Sequence, residues 1–131
     1  MKKEFCRYKQ LIERSGDREQ KRKNHSQIID EFYDGNIIQI ENCEKPIKGK
    51  EKLSGIENKN LDGVNSLVTK VNEVVFDNDT GTVWGQMIIN FDSKKNGKKR
   101  LEEAFIQKWL NGKIIYQRFY YGQMINEEAI S

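Results

Sequence analysis

The chain has 131 residues, 36% of them apolar and 33% charged, and a net charge of +3. That length fits one domain (1–131) with a real core and leaves no room for two, and no apolar run approaches the roughly 20 residues needed to cross a bilayer. Two distant cysteines, Cys6 and Cys43, and a single histidine, His25, offer no donor set for zinc. The expectation is therefore no metal and no cofactor. Met1-Lys2-Lys3-Glu4 opens no apolar segment of the signal-peptide kind, so the expected location is cytoplasmic, with both thiols reduced.

The charge is unevenly spread. Residues 1–25 hold nine Lys/Arg against four Asp/Glu, and the remainder holds fourteen against sixteen. A basic N-terminal segment therefore precedes a slightly acidic body. A second basic cluster, Lys94, Lys95, Lys98, Lys99 and Arg100, flanks Asn96-Gly97. Such clusters can hold a phosphate backbone, but no aromatic residue interleaves this one as a base-stacking platform would. A lysine-rich hairpin tip that stays soluble and guards a sheet edge explains it more simply.

Taken in chain order, Phe5, Tyr8, Leu11 and Ile12 recur at helical spacing until Ser15-Gly16-Asp17 interrupts them. Asp17 is placed to cap a second helix whose apolar face is Ile28, Ile29, Phe32 and Tyr33. Residues 17–27 contain no apolar side chain; they read either as the exposed first half of that helix or as a mobile connection. Asp34-Gly35-Asn36 signals a turn, and Ile37 to Glu41 follows as a short strand. After Pro46-Ile47-Lys48-Gly49, the stretch Glu51 to Leu61 reads as a third helix with Leu53, Ile56 and Leu61 inward. From Ser66 the period changes to two. Strands are expected over 66–77, 82–92, 99–110 and 113–121, the last pair joined by Asn111-Gly112, a dipeptide that tolerates positive φ at both positions. Helices first and a meander afterwards is an α+β layout.

Alternation divides the strands into two faces. On one side Met87, Ile89, Phe105 and Trp109 accompany Glu103 and Gln107, a mixture of large apolar and few polar groups suited to the wall of a ligand cavity. On the other side Trp84, Ile88, Ala104 and Ile106 form an apolar patch, with Tyr116 or Tyr120 beside them. Such a patch on a small domain's sheet points to a partner, most simply a second copy in a homodimer.

Two segments resemble a known family. Phe32-Tyr33-Asp34-Gly35-Asn36-Ile37-Ile38 followed by Pro46-Ile47-Lys48-Gly49-Lys50-Glu51, and later Trp109-Leu110-Asn111-Gly112-Lys113-Ile114-Ile115, resemble the SnoaL-like, ketosteroid-isomerase-like domains of the NTF2-like superfamily over about 32–121. The resemblance implies a cone-shaped, curved sheet packed against N-terminal helices, usually dimeric, with a pocket between. It also implies that Glu41 occupies the position of the isomerases' general base. The position of their acidic oxyanion donor falls on Phe105, which has no proton to give. The helix-one tyrosine matches Tyr8 only with spacing one residue off. Fold alone does not fix function in such a family.

Three readings follow. One is a non-catalytic member that binds a small, apolar molecule or simply dimerises as a scaffold. Another is a cofactor-independent enzyme that moves a proton beside a carbonyl, with Glu41 as base. The third is a nucleic-acid or acidic-partner binder acting through residues 1–25 and Lys94–Arg100, which the slightly acidic body argues against.

Overall fold

The computed structural model describes residues 1–126. Three helices, α1 (Lys2–Glu13), α2 (Arg18–Phe32) and α3 (Lys50–Asp62), pack on one face of a seven-stranded sheet. The strands are β1 (Tyr33–Glu41), β2 (Ile47–Lys48), β3 (Val64–Asp77), β4 (Thr82–Ser93), β5 (Gly97–Leu110), β6 (Lys113–Tyr121) and β7 (Ile125–Asn126). Their order is β2-β1-β6-β5-β4-β3, with β7 paired to β5. The β1–β6 pairing is parallel and the others are antiparallel, so the sheet is mixed, curved and unclosed. This is the α+β layout expected from the order of the elements, with the curved sheet that the family resemblance implies.

Helix α1 forms because Phe5, Tyr8 and Leu11 fall on one side of it, and all three are buried. Phe5 then sits among the aromatic rings of the core. Its ring stacks on Phe105 at 6.2 Å between centroids and meets Trp109 edge-on at 6.4 Å. Trp109 also takes Tyr8 and Phe32 edge-on, at 6.2 and 5.7 Å. Burying such rings is worth roughly 2–3 kcal/mol each before the aromatic geometry adds its share.

The open question over residues 17–27 resolves in favour of helix. Asp17 Oδ1 accepts from Gln20 N at 2.8 Å, and the helix runs unbroken from Arg18. Its first half is not simply exposed. Lys21 is 2% exposed and Asn24 is buried as well. Lys21 Nζ and Asn24 Nδ2 both donate to the Arg14 carbonyl, at 2.7 and 3.2 Å, and so serve the free acceptors where α1 ends. Polar side chains do here what apolar ones do at Ile28 and Ile29.

Two other expectations change. The strand at 37–41 begins earlier, at Tyr33, and runs through the Asp34-Gly35-Asn36 turn signal. The signal marks an irregularity: between Tyr33 and Ile38 the register against β6 shifts, and Asp34 Oδ2 accepts from Asn36 N at 2.9 Å. After Pro46, for which no element was expected, Ile47–Lys48 pairs with Ile38 and Gln39 as β2. The Asn111-Gly112 turn behaves as its residues dictate, with φ of 51° and 77°.

Strand β3 is an edge of the sheet, with Val68 and Val75 exposed. A bulge between Val71 and Glu73 interrupts its pairing with β4, and Glu13 of α1 accepts from Val71 N there at 2.8 Å. Across β4, Gly85 pairs with Phe105. A Cβ at Gly85 would lie 2.4 Å from the Glu73 carbonyl oxygen and 2.6 Å from Phe105 Cζ, so only glycine fits.

Candidate functional site

The face of the sheet that meets the helices changes character along its length. Where α1 and α2 pack against it, it is apolar: Met87, Phe105 and Trp109 are buried in the core with Phe5, Tyr8 and Phe32. Toward the ends of β1 and β6 it becomes polar. Burial on β5 alternates cleanly, with Glu103, Phe105, Gln107 and Trp109 inside. Register then brings Gln107 opposite Gln117, Phe105 opposite Phe119 and Glu103 opposite Tyr121 on β6. Parallel pairing sets Gln39 beside Gln117 and Glu41 beside Phe119.

These register positions produce a continuous chain of hydrogen bonds. Trp109 Nε1 donates to Gln107 Oε1 at 3.3 Å, and Gln107 Nε2 to Gln117 Oε1 at 3.3 Å. Gln117 Nε2 in turn reaches both Gln39 Oε1 at 2.6 Å and the Tyr33 hydroxyl at 3.0 Å. One branch continues from Gln39 Nε2 to Glu41 Oε1 at 2.9 Å. The other runs from the Tyr33 hydroxyl to Glu57 Oε1 of α3 at 2.9 Å, with His25 Nδ1 of α2 3.7 Å from Glu57 Oε2. The irregular stretch at 34–37 makes the fork possible, because it offsets Tyr33 and Gln39 so that both meet one glutamine.

Acidic groups dominate this region. Burial raises the Glu41 carboxyl above its ordinary pKa, opposed by hydrogen bonds from Gln39 and Tyr121 and reinforced by the charges of Glu44 and Glu57. Glu103, only 8% exposed, is pushed up to about 7 by burial and then by the charge of Glu41. Its carboxyl makes no ion pair among the described residues. The Tyr121 phenol is raised by burial and by the adjacent Glu41. Tyr8 and Tyr33 are raised by burial and by Glu57.

Of the residues singled out from sequence, Glu41 and Glu103 meet at this polar end. Gln107 is a link in the chain, and half-buried Ile89 pairs with Leu101 beyond Glu103. Met87, Phe105 and Trp109 pack in the core. Trp84, Ile88, Ala104 and Ile106 share the opposite face, where Trp84 is 42% exposed. Arg118 lies 4.9 Å over the Tyr120 ring on that same face. The sequence reading missed Tyr33, Gln39, Glu57, Gln117 and Tyr121 as site residues. Gln39 and Glu41 alternate with Ile38 and Ile40, and that pattern carries the missing signal once polar residues are allowed to face inward. Two shallow depressions, of about 420 and 480 Å³, lie elsewhere, against Asp17, Asn65 and Lys94 and against Gly35 and Lys48–Lys52. Among the described residues no group of His, Cys, Asp and Glu is arranged to hold a metal ion.

No family model and no curated protein matches the sequence. Solved structures do match in shape. An NTF2-like protein of unknown function from Exiguobacterium sp. 255-15 has a TM-score of 0.71 at 15% identity, covering 92% of this chain and 98% of its own. A Mesorhizobium loti protein classed among the SnoaL-like polyketide cyclases has a TM-score of 0.67 at 16% identity, covering 92% and 97%. An LEH-like epoxide hydrolase of M. tuberculosis reaches 0.67 at 8% identity, covering 92% and 80%. At such identities the likeness speaks for architecture, and the architecture is that of the SnoaL-like, NTF2-like fold.

Proposed function

We propose that the chain binds a small, mostly apolar molecule at the polar end of the sheet's helix-facing side, with Glu41, Glu103 and Tyr121 as the polar groups that orient it. The observation that carries this reading is Glu103, more than nine-tenths buried on the helix-facing side of the sheet and without a cationic partner. Such a carboxyl group is costly to keep ionised, and a polar group of a ligand can meet it. Titration of the ¹⁵N-labelled protein with a panel of small ketones, alcohols and amines tests the reading. Shifts concentrated at Glu41, Glu103 and Tyr121 are expected. Shifts confined to the far face, or none at millimolar concentration, reject it.

A second reading has its own support. Glu41 is held by Gln39 and Tyr121 next to a carboxyl that titrates near 7. Two neighbouring carboxyls, both raised by burial and with Glu103 the more so, are the kind of pair used in proton transfer next to a carbonyl. Glu41→Gln should then abolish any enolisation of model enones while the protein stays folded.

The opposite face, with Trp84, Ile88, Ala104 and Ile106, is proposed to pair with a second copy of the chain. Its support is an apolar stripe rimmed by Arg118 and Lys108, each lying over a tyrosine ring.

A further inference from the structure

The basic hairpin that joins β4 to β5 has no part in the candidate site. Lys94, Lys95 and Lys98 are exposed at its tip, with Lys99 and Arg100 half-buried behind them. Among the described residues only Arg100 of these five is in an ion pair, with Glu102 at 2.9 Å. Asp92 of β4 stands opposite Lys98 but accepts from Asn65 at 3.4 Å. On its other side this end of β5 lies beyond β6, whose pairing stops where Glu103 meets Tyr121. The chain then returns to β5 as β7. Ile125 pairs with Arg100 and Asn126 with Lys99, antiparallel, and Lys99 Nζ donates to Asn126 Oδ1. Along such a ladder each residue after Asn126 moves one position closer to the hairpin tip. The next two in the sequence, outside the described residues, are Glu127 and Glu128.

We propose that the side of β5 left open at the hairpin tip is a docking edge for the chain's own Glu127-Glu128, added to the β7 ladder. The register of β7 carried forward sets Glu127 opposite Lys98 and Glu128 diagonal to Lys99. Opposite charges so placed on paired strands attract. Exposed pairs of this kind are weak singly, but β7 already holds the preceding residues on β5, so little further ordering is needed to form them. The basic tip thereby takes its counter-charge from within the molecule. Docking also bears on the end of β6, because residues 122–126 run from Tyr121, opposite Glu103, to the β7 pairs. An acidic strap seated on β5 tethers that stretch, and salt, which screens surface charges, loosens it. This docking does not depend on what the polar end of the sheet binds.

The experiment follows amide hydrogen exchange and backbone NOEs on the full ¹⁵N-labelled chain, at about 20 mM and about 500 mM NaCl, on either side of physiological screening. A backbone NOE between Lys98 and Glu127 is expected at low salt. The Asn126 amide should exchange at least about tenfold more slowly there than at high salt. Glu127→Lys/Glu128→Lys should lose both signals, and adding Lys98→Glu/Lys99→Glu should restore them with the charges exchanged. The buried Phe105 and Gln107 amides control for folding and should exchange alike in every variant. Protection at Asn126 that is equal in both salts, or that survives Glu127→Lys/Glu128→Lys, overturns the inference. So does the absence of the NOE at low salt, or a charge exchange that restores nothing. Inorganic polyphosphate that shifts Lys94–Arg100 at low salt while Asn126 stays equally protected would give the cations to an external anion and overturn it too.

Discussion

Gln117 Nε2 stands 2.6 Å from Gln39 Oε1 and so decides which way the Gln39 amide points. With its oxygen engaged, Gln39 has only its nitrogen left for Glu41, and it donates at 2.9 Å. A glutamine on β6 thereby sets the donor that favours the ionised form of a carboxylate at the end of β1.

This relationship predicts a large effect from a single substitution. Gln117→Leu keeps the bulk but strands the Gln39 carbonyl, the Gln107 amide and the Tyr33 hydroxyl around one buried site. The expected loss is about 2–4 kcal/mol of folding stability, measured by urea unfolding. The double variant Gln117→Leu/Gln39→Leu should lose less than the sum of the two singles, because it removes partners together. A loss under 1 kcal/mol in the single variant would mean that the chain of hydrogen bonds carries little energy.

Glu103 makes stability depend on pH in a direction opposite to that of most carboxylates. Its folded-state pKa of about 7 lies above the ordinary 4.5, so the folded protein holds the proton more tightly than the unfolded chain does. The advantage is complete below pH 4.5 and disappears as the pH rises through 7. It amounts to about 3 kcal/mol. Glu103→Gln should therefore raise Tm at pH 8.5 and leave it nearly unchanged at pH 4.5, as followed by differential scanning calorimetry. The same gain at both pH values would remove Glu103 as its cause.

At Gly85 of β4 both neighbouring strands, β3 and β5, come close. Gly85→Ala places a methyl group 2.4 Å from the Glu73 carbonyl oxygen, and a backbone atom cannot swing aside as a side chain can. A loss of at least about 2 kcal/mol is expected. Shortening the ring with Phe105→Leu should recover only part of it, since the carbonyl clash stays. Full recovery would place the whole conflict at Phe105.

The exposed apolar face makes a prediction about association. If Trp84 lies at the centre of a contact between two copies, Trp84→Glu should turn a dimeric protein into a monomer in light scattering, at unchanged helix and strand content. A wild type already monomeric at tens of micromolar refutes the contact.

Much of the architecture was legible because local chemistry and global fold agree along most of the chain. Asp17 caps a helix as its side chain allows. Asn111-Gly112 turns with both φ values positive. The alternation on β5 separates Phe105 from Ile106 as pleating requires. The misses share a cause. Asp34-Gly35-Asn36 has the composition of a turn, and tertiary pairing absorbed it into β1 as an irregularity in register. Lys21 and Asn24 are polar types that ordinarily face water, and they lie buried because the end of α1 needs donors. Gln39 and Gln117 were missed for the same reason. Their partners are distant in sequence, 78 positions apart, so nothing local marks them as interior.

An unclosed sheet always leaves an edge on which another strand can grow, and β3 is a long one with two valines in the open. The carboxylate of Glu13 sits midway along that edge and occupies the Val71 amide at the bulge. An incoming strand would meet a kinked template with one of its donors already taken and the body of α1 behind it. The helix packed on the sheet therefore also takes up one donor of its exposed edge, through a glutamate that touches no part of the candidate site.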